Sequence, residues 1–153
     1  MTESQPAVPK PVPKQRNQRH NPIWVIFLLM AGVLGVRQWL GPRERVPWGN
    51  DFAAAMTQAR AARKPVLAYF TAGWCGPCQN MKRNVWSDQK VADAAKAYVP
   101  VRIDIDLWPE LKQKYNVVSI PLVTVMDDQG NVLRSLTGMQ EPADMIAWLA
   151  QTN

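Results

Sequence analysis

Metal-binding side chains are scarce in this sequence. Among 153 residues there are two cysteines, Cys75 and Cys78, and one histidine, His20, far from both. A structural zinc site takes about four Cys or His ligands, so a zinc ribbon within one chain is excluded on ligand count, and no metal is expected. Clustered positive charge is missing too. The net charge is +6, but residues 1–45 hold seven Lys/Arg against two acids, and the remaining 108 residues hold eleven against ten. The later part is nearly neutral and lacks the basic patch that a nucleic-acid-binding face needs, so nucleic acid is not expected as a partner. Long hydrophobic runs are also lacking. The most apolar stretch, "IWVIFLLMAGVLGV" at 23–36, is fourteen residues without a charge.

That stretch decides how the amino-terminal fifty residues are read. As a helix it spans about 21 Å, against a hydrocarbon core of about 30 Å. Extension through Arg37, Gln38, Trp39 and Leu40 brings it to about 27 Å, with Arg37 snorkelling and Trp24 and Trp39 near the two interfaces. A buried core helix should be amphipathic, whereas this run is apolar all round. A cleaved signal peptide needs a small-x-small site, and "AGVLGVRQW" runs straight into Arg37 and Trp39. The expectation is therefore an uncleaved, single-pass transmembrane anchor over 23–40. Lys/Arg before the span favour a cytoplasmic amino terminus in the inner membrane, with the carboxy-terminal domain in the periplasm. Residues 1–22, rich in Pro, Gln, Lys and Arg, read as a disordered basic tail. "GPRERVPWGN", 41–50, reads as a linker, which leaves 51–153 as the folded domain.

From Asp51 the patterning is regular. "DFAAAMTQARAARK" has Phe52, Ala55, Met56 and Ala59 at helical spacing, with Asp51 as a cap. "PVLAYF" (65–70) is a short apolar run, expected of a strand covered on both faces. Helices follow over 79–85 and from Ser87 or Asp88 onward. "VPVRIDID" (99–106) is a second strand, and Trp108-Pro109 opens a short helix to Tyr115. "PLVTVM" and "NVLRSL" flank "DDQG", a hairpin signal with Gly130 at the turn. "EPADMIAWLAQ" closes the chain as an amphipathic helix. Strands interleaved with helices make an α/β domain in layers. Trp86 and Trp148 read as core, and Asp104, Asp106, Asp127 and Asp128 as strand-end and turn residues.

Within this frame the cysteines stand directly after a strand and open a helix, in "TAGWCGPCQN". The attacking species in disulfide exchange is a thiolate. Cys75 sits at the helix start, where unpaired N–H groups and the dipole favour negative charge. Cys78, one turn on, comes close enough to resolve a mixed disulfide. Gly76 allows a tight backbone, and Pro77 stiffens the first turn without wasting a donor. A staple closing so small a loop removes little chain entropy. The spacing therefore suits turnover, with Cys75 as nucleophile and Cys78 as resolving thiol. The redox-active disulfide itself is the only cofactor expected.

"WCGPC" matches the active-site motif of thioredoxin, including Trp74, and "SIPL" (119–122) resembles the cis-proline loop of that family. The resemblance covers the chain from about Asp51 and implies the thioredoxin-like three-layer fold, a central mixed sheet flanked by helices. It implies that Pro121 is cis and that the backbone before it, at Ile120, pairs with substrate. "NVWSDQKVADAAKAYVPVRIDID" and "LKQKYNVVSIPLVTVMDDQGN" are similar to the periplasmic carboxy-terminal domain of DsbD-type transmembrane disulfide reductases. One position departs. Thioredoxins have a buried Asp six residues before the first Cys, and here it is Tyr69, a poor base near pH 7. Arg102 falls where the family's Lys pairs with that Asp. Either Tyr69 and Arg102 hydrogen-bond or stack, leaving the Cys78 proton to water or another carboxylate, or Tyr69 simply fills core. Trp74, beside the nucleophile, is expected to touch partners.

The expected function is a membrane-anchored thiol–disulfide oxidoreductase working as a protein-disulfide reductase. Its substrates would be disulfides of exported proteins, apocytochromes c among them. A membrane-embedded thiol donor would supply electrons, since this chain has no redox pair in the expected span. Two other readings stay open: an oxidase or isomerase of the same fold, and a tethered binding or assembly module.

Overall fold

The computed structural model describes residues 22–39 and 43–151, in two compact units, Met1–Gly41 and Pro42–Asn153. In the first, helix α1 runs Pro22–Trp39, and its described side chains from Ile23 to Val33 are exposed. The membrane anchor expected over 23–40 is overturned. Among the described residues, no helix is long and apolar enough to cross a membrane. The 18 residues of α1 rise only about 27 Å against a core of about 30 Å, and Arg37 and Gln38 occupy its last turn. The inner-membrane, single-pass location with a periplasmic domain was inferred from that anchor and is withdrawn with it, and so is the membrane-anchored form of the family resemblance. The expected basic tail, apart from Pro22, lies outside the described residues, as do Leu40, Gly41 and Pro42.

The second unit is an α/β fold with a four-stranded mixed sheet. Its elements are α2 (Phe52–Ala62), β1 (Val66–Thr71), α3 (Gly76–Asn84), α4 (Gln89–Ala95), β2 (Val99–Asp104), α5 (Pro109–Lys114), β3 (Leu122–Met126), β4 (Val132–Thr137) and α6 (Pro142–Leu149). The sheet order is β2-β1-β3-β4. β1 pairs parallel with β2 and antiparallel with β3, and β3 pairs antiparallel with β4. Local chemistry explains most boundaries. Asp51 caps α2 by accepting from Ala54 N at 2.9 Å, and Asp88 caps α4 by accepting from Lys90 N and Val91 N. Gly130 turns the β3–β4 hairpin at φ +86°, where an added Cβ would come within 3.2 Å of Tyr115 Oη.

The central strand β1 is buried from Val66 to Phe70 because both of its faces are covered, and successive side chains alternate between them. Phe70 points toward Tyr115, which also meets Phe52 of α2 at 5.7 Å. Tyr69 points the other way, onto Trp86 at 5.1 Å and Trp48 at 5.5 Å between ring centroids. Trp48 and Trp86 close this triad at 5.0 Å, nearly perpendicular. Such pairs are worth about 0.5–1.5 kcal/mol each beyond the area they bury.

Trp48 belongs to the segment expected as a linker, and from residue 43 onward that segment is held on the domain. Arg45 N donates to Trp86 O at 2.7 Å, Val46 is buried, and Arg45 Nη1 donates to Gln89 Oε1 at 3.0 Å. Gly49 bridges the outer edge of β2 in parallel. Its N donates to Pro100 O at 3.0 Å, and its O accepts from Arg102 N at 2.8 Å.

Candidate functional site

At the carboxyl end of β1 the chain turns through 72–75 and enters α3. Cys75 is the N-cap of α3, with extended backbone, and Pro77 occupies the first turn. Cys75 Sγ accepts a hydrogen bond from Cys78 N at 3.2 Å. The two cysteines form a disulfide with their Cα atoms 5.2 Å apart, and both are buried. Gly76 lies in no strained conformation: its φ is not positive, and an added Cβ would meet nothing within 4 Å. The backbone there does not demand glycine. The Ile120–Pro121 peptide is cis.

Beside the disulfide two large apolar side chains stand in solvent. Trp74 is 69% exposed and Val118 88%. A groove of about 250 Å³ is lined by Trp74, Ile105, Lys112, Val118 and Ile120, so the motif tryptophan and the residue before the cis proline share one depression. The Trp74 ring is held in place by Nε1, which donates to Asp106 Oδ2 at 2.8 Å.

A smaller, partly open pocket of about 160 Å³ lies against Cys78. Tyr69, Thr71, Lys82, Arg102, Asp104 and Glu44 line it with that cysteine. Tyr69 and Arg102 stand opposite each other in the β1–β2 register, but no hydrogen bond joins them. Tyr69 Oη donates to Cys78 O at 3.3 Å, and Arg102 Nη1 donates to Glu44 Oε2 at 2.8 Å. A guanidinium gains more from a carboxylate than from a phenol, which accounts for the choice. Burial pushes the Tyr69 phenol above its ordinary value near 10, and the negative charge of Glu44 adds to that. At neutral pH Tyr69 is a donor and not a base.

Glu44 was not singled out in the sequence, because it lies in a stretch of Gly, Pro and charge, 58 positions from its partner. The only available signal was the pair Val46 and Trp48, apolar residues unusual in a free linker. Trp86 is buried and Trp148 half-buried. Asp127 serves its turn by accepting from Asn131 N at 2.8 Å and Gln129 N at 2.9 Å. A larger cavity of about 750 Å³ opens at the other end of the sheet among Arg63, Tyr98, Asp127, Leu133 and Leu149, and touches neither cysteine.

A disulfide whose sulfur caps a helix, with a surface groove beside its tryptophan and a polar pocket against Cys78, is built to open and close. The redox group is the disulfide itself. Comparison with known proteins agrees with this chemistry. A family model described as thioredoxin-like matches residues 47–128. A thioredoxin-like protein of Synechocystis sp. is 33% identical over 100 residues, covering 65% of this chain and 92% of that protein. Thioredoxin of Alicyclobacillus acidocaldarius is 34% identical over 97 residues, covering 63% and 90%. Among solved structures, the oxidised carboxy-terminal domain of Neisseria meningitidis DsbD superposes with a TM-score of 0.57 at 26% identity, covering 66% of this chain and 95% of that one.

Proposed function

This chain belongs to the thioredoxin-like family and is a thiol–disulfide oxidoreductase, and we propose that it works as a reductase in which Cys75 attacks and Cys78 resolves. The observation that carries this is the Cys78 N–H aimed at Cys75 Sγ from the first turn of α3. In the dithiol, that amide and the helix dipole favour the Cys75 thiolate. Cys75 attacks one sulfur of a substrate disulfide, and the other sulfur leaves as a thiol. Cys78 then attacks Cys75 Sγ, releasing the second substrate thiol and closing the Cys75–Cys78 disulfide. The substrate gains two electrons and the chain loses them.

Trp74, Val118 and the Ile120 backbone form the docking surface in this reading, with Pro121 shaping the loop and Gly76-Pro77 holding the helix start. Tyr69 and Arg102 support the site from inside. The partners are thiols and disulfides. More narrowly, we take them to be disulfides of exported proteins, with apocytochromes c as one class, and a separate membrane-embedded thiol donor of electrons. The likeness to the DsbD domain supports this choice.

Two measurements test the reading. Equilibration of the full chain with glutathione should place the couple near the thioredoxin value of about −270 mV, and a value near −120 mV would assign an oxidase instead. Cys78→Ser should trap mixed disulfides on Cys75. Intact partner binding without any trapped disulfide would mark a binding module.

A further inference from the structure

The groove beside the disulfide carries a charge that the exchange chemistry does not use. Trp74, Ile105, Val117, Val118, Ser119 and Ile120 line it with uncharged groups, and Lys112 is its one charged residue. Lys112 stands exposed in the last turn of α5. A lysine lining such a groove lays its stem on the wall and keeps its ammonium in water. The ion pairs among the described residues use Lys82, Lys96 and Arg102, and none uses Lys112.

The neighbouring charges leave that ammonium unmatched. Glu110 lies two positions earlier on α5, a spacing at which helical side chains do not face each other. Lys114 sits over the Tyr115 ring, 5.2 Å from its centroid. Asp106 gives Oδ2 to Trp74 Nε1 and is not among the lining residues.

The loop before the cis proline has unused backbone groups. Among the described residues, no backbone–backbone hydrogen bond involves Val118, Ser119 or Ile120, and pairing resumes at Pro121 O, which accepts from Gly138 N at 2.8 Å. Such an edge accepts an extended peptide as an added strand. Side chains of that peptide alternate, so one row of them enters the groove.

We propose that Lys112 is a specificity residue for exchange, and that the preferred substrate is an extended segment with Asp or Glu within two residues of its reacting cysteine. The proposal rests on the reading of Cys75 as the attacking thiol. Lys112 pairs with the carboxylate as the segment docks and takes no part in bond making. Apolar walls lower the local dielectric, so the pair is stronger there than on open surface.

The opposite assignment is that Lys112 acts on Cys75 itself. A cation that only steadied the thiolate would speed attack on every disulfide alike, whatever stood beside the substrate sulfur.

Short peptides with one cysteine in mixed disulfide with an aromatic thiol separate the two. The aromatic thiol has the lower pKa and leaves faster, so attack by Cys75 on the peptide sulfur releases a coloured thiolate. The peptides differ only in whether Glu, Gln or Lys flanks the cysteine. With the reduced full chain at low ionic strength, the second-order rate should fall in that order over at least about fivefold. Lys112→Gln should compress the span to under about twofold, Lys112→Glu should invert it, and Lys112→Arg should keep it. The basic amino-terminal residues are common to all four chains, so differences among them belong to position 112. A small uncharged aromatic disulfide should react equally with every chain, and concentrated salt should shrink the wild-type span.

A span unchanged in Lys112→Glu overturns the proposal, as does a wild type that prefers the Lys-flanked peptide. Equal slowing of every substrate in Lys112→Gln, the uncharged one included, assigns the lysine to Cys75 and overturns it too. A wild type no faster than Cys75→Ser on any of these disulfides defeats the nucleophile reading itself, a distinguishable failure.

Discussion

Two arginines on the opposite edge strands of this sheet serve different ends of it. Arg134 of β4 lies at the end away from the cysteines. Its Nη1 donates to Trp148 O at 2.7 Å, its Nη2 donates to Tyr98 Oη at 2.7 Å, and its guanidinium carbon sits 4.5 Å from the centroid of the Trp148 ring. Nε has no hydrogen-bond partner among the described residues, but it belongs to a cation resting on a π face, which compensates it. Tyr98 in turn donates to Leu149 O at 2.7 Å, so the network fastens α6 to the sheet. Arg102, near the cysteine end, holds Glu44 Oε2, and both residues line the pocket against Cys78. The first network is closed among structural groups, whereas the second lines the pocket against Cys78. The contrast separates a structural end from a working end.

The sharpest way to divide the two ends is Cys75→Ser. Disulfide-reducing turnover should fall by at least about three orders of magnitude, measured with any chromogenic disulfide. The lost cross-link should cost at most about 2 kcal/mol in urea unfolding, because the loop it closes is so short. A variant retaining most of its turnover would remove Cys75 from the nucleophile's role. The mirror experiment is Arg134→Met. It should cost about 2–3 kcal/mol of stability through charge-assisted hydrogen bonds while leaving exchange rates within about twofold. A large rate loss at unchanged stability would show that the two ends are coupled.

The finest test concerns Tyr69→Phe. Losing a long hydrogen bond to Cys78 O should cost no more than about 1 kcal/mol, and exchange near pH 7 should be unaffected. The sign of its pH dependence follows from the phenol being raised in the folded chain. Its contribution is fully present below the unfolded value of about 10 and is lost as pH rises through the folded one. Wild-type stability should therefore drop on that alkaline limb and Tyr69→Phe should lack the drop, which a series of urea titrations would record. A change in Tyr69→Phe kinetics at neutral pH would give the phenol a part in exchange.

Most of the working end was legible in advance because its signals are local. The motif "WCGPC", the apolar run of β1, the Asp51 and Asp88 caps and the Gly130 turn each act over a few residues, and the α/β order followed from them. The cis bond at Pro121 came from family likeness, since nothing in its neighbours announces it. Two readings failed for opposite reasons. Residues 23–40 were judged by apolarity, but the fourteen-residue uncharged run is too short for a membrane. Residues 43–50 were judged by Gly, Pro and charge, and such composition says nothing about contacts formed across 58 positions, as between Glu44 and Arg102. Tyr69 and Arg102, expected to hydrogen-bond or stack, face each other across β1 and β2 but bond to other partners, and the partner of Arg102 lies in that distant segment.

The bridge at Gly49 also bears on how copies of this protein behave toward one another. β2 is an outer strand of the sheet, and an uncovered strand edge is a template for aggregation. Gly49 occupies Pro100 O and Arg102 N, the groups that a second copy would otherwise find free. A chain begun at Asp51, where the regular patterning starts, would keep the whole cysteine motif but lose this cover along with Val46 and Trp48. It would be expected to self-associate through β2. For this fold the useful boundary lies at least eight residues earlier than α2, and solubility would report the difference before any assay of exchange.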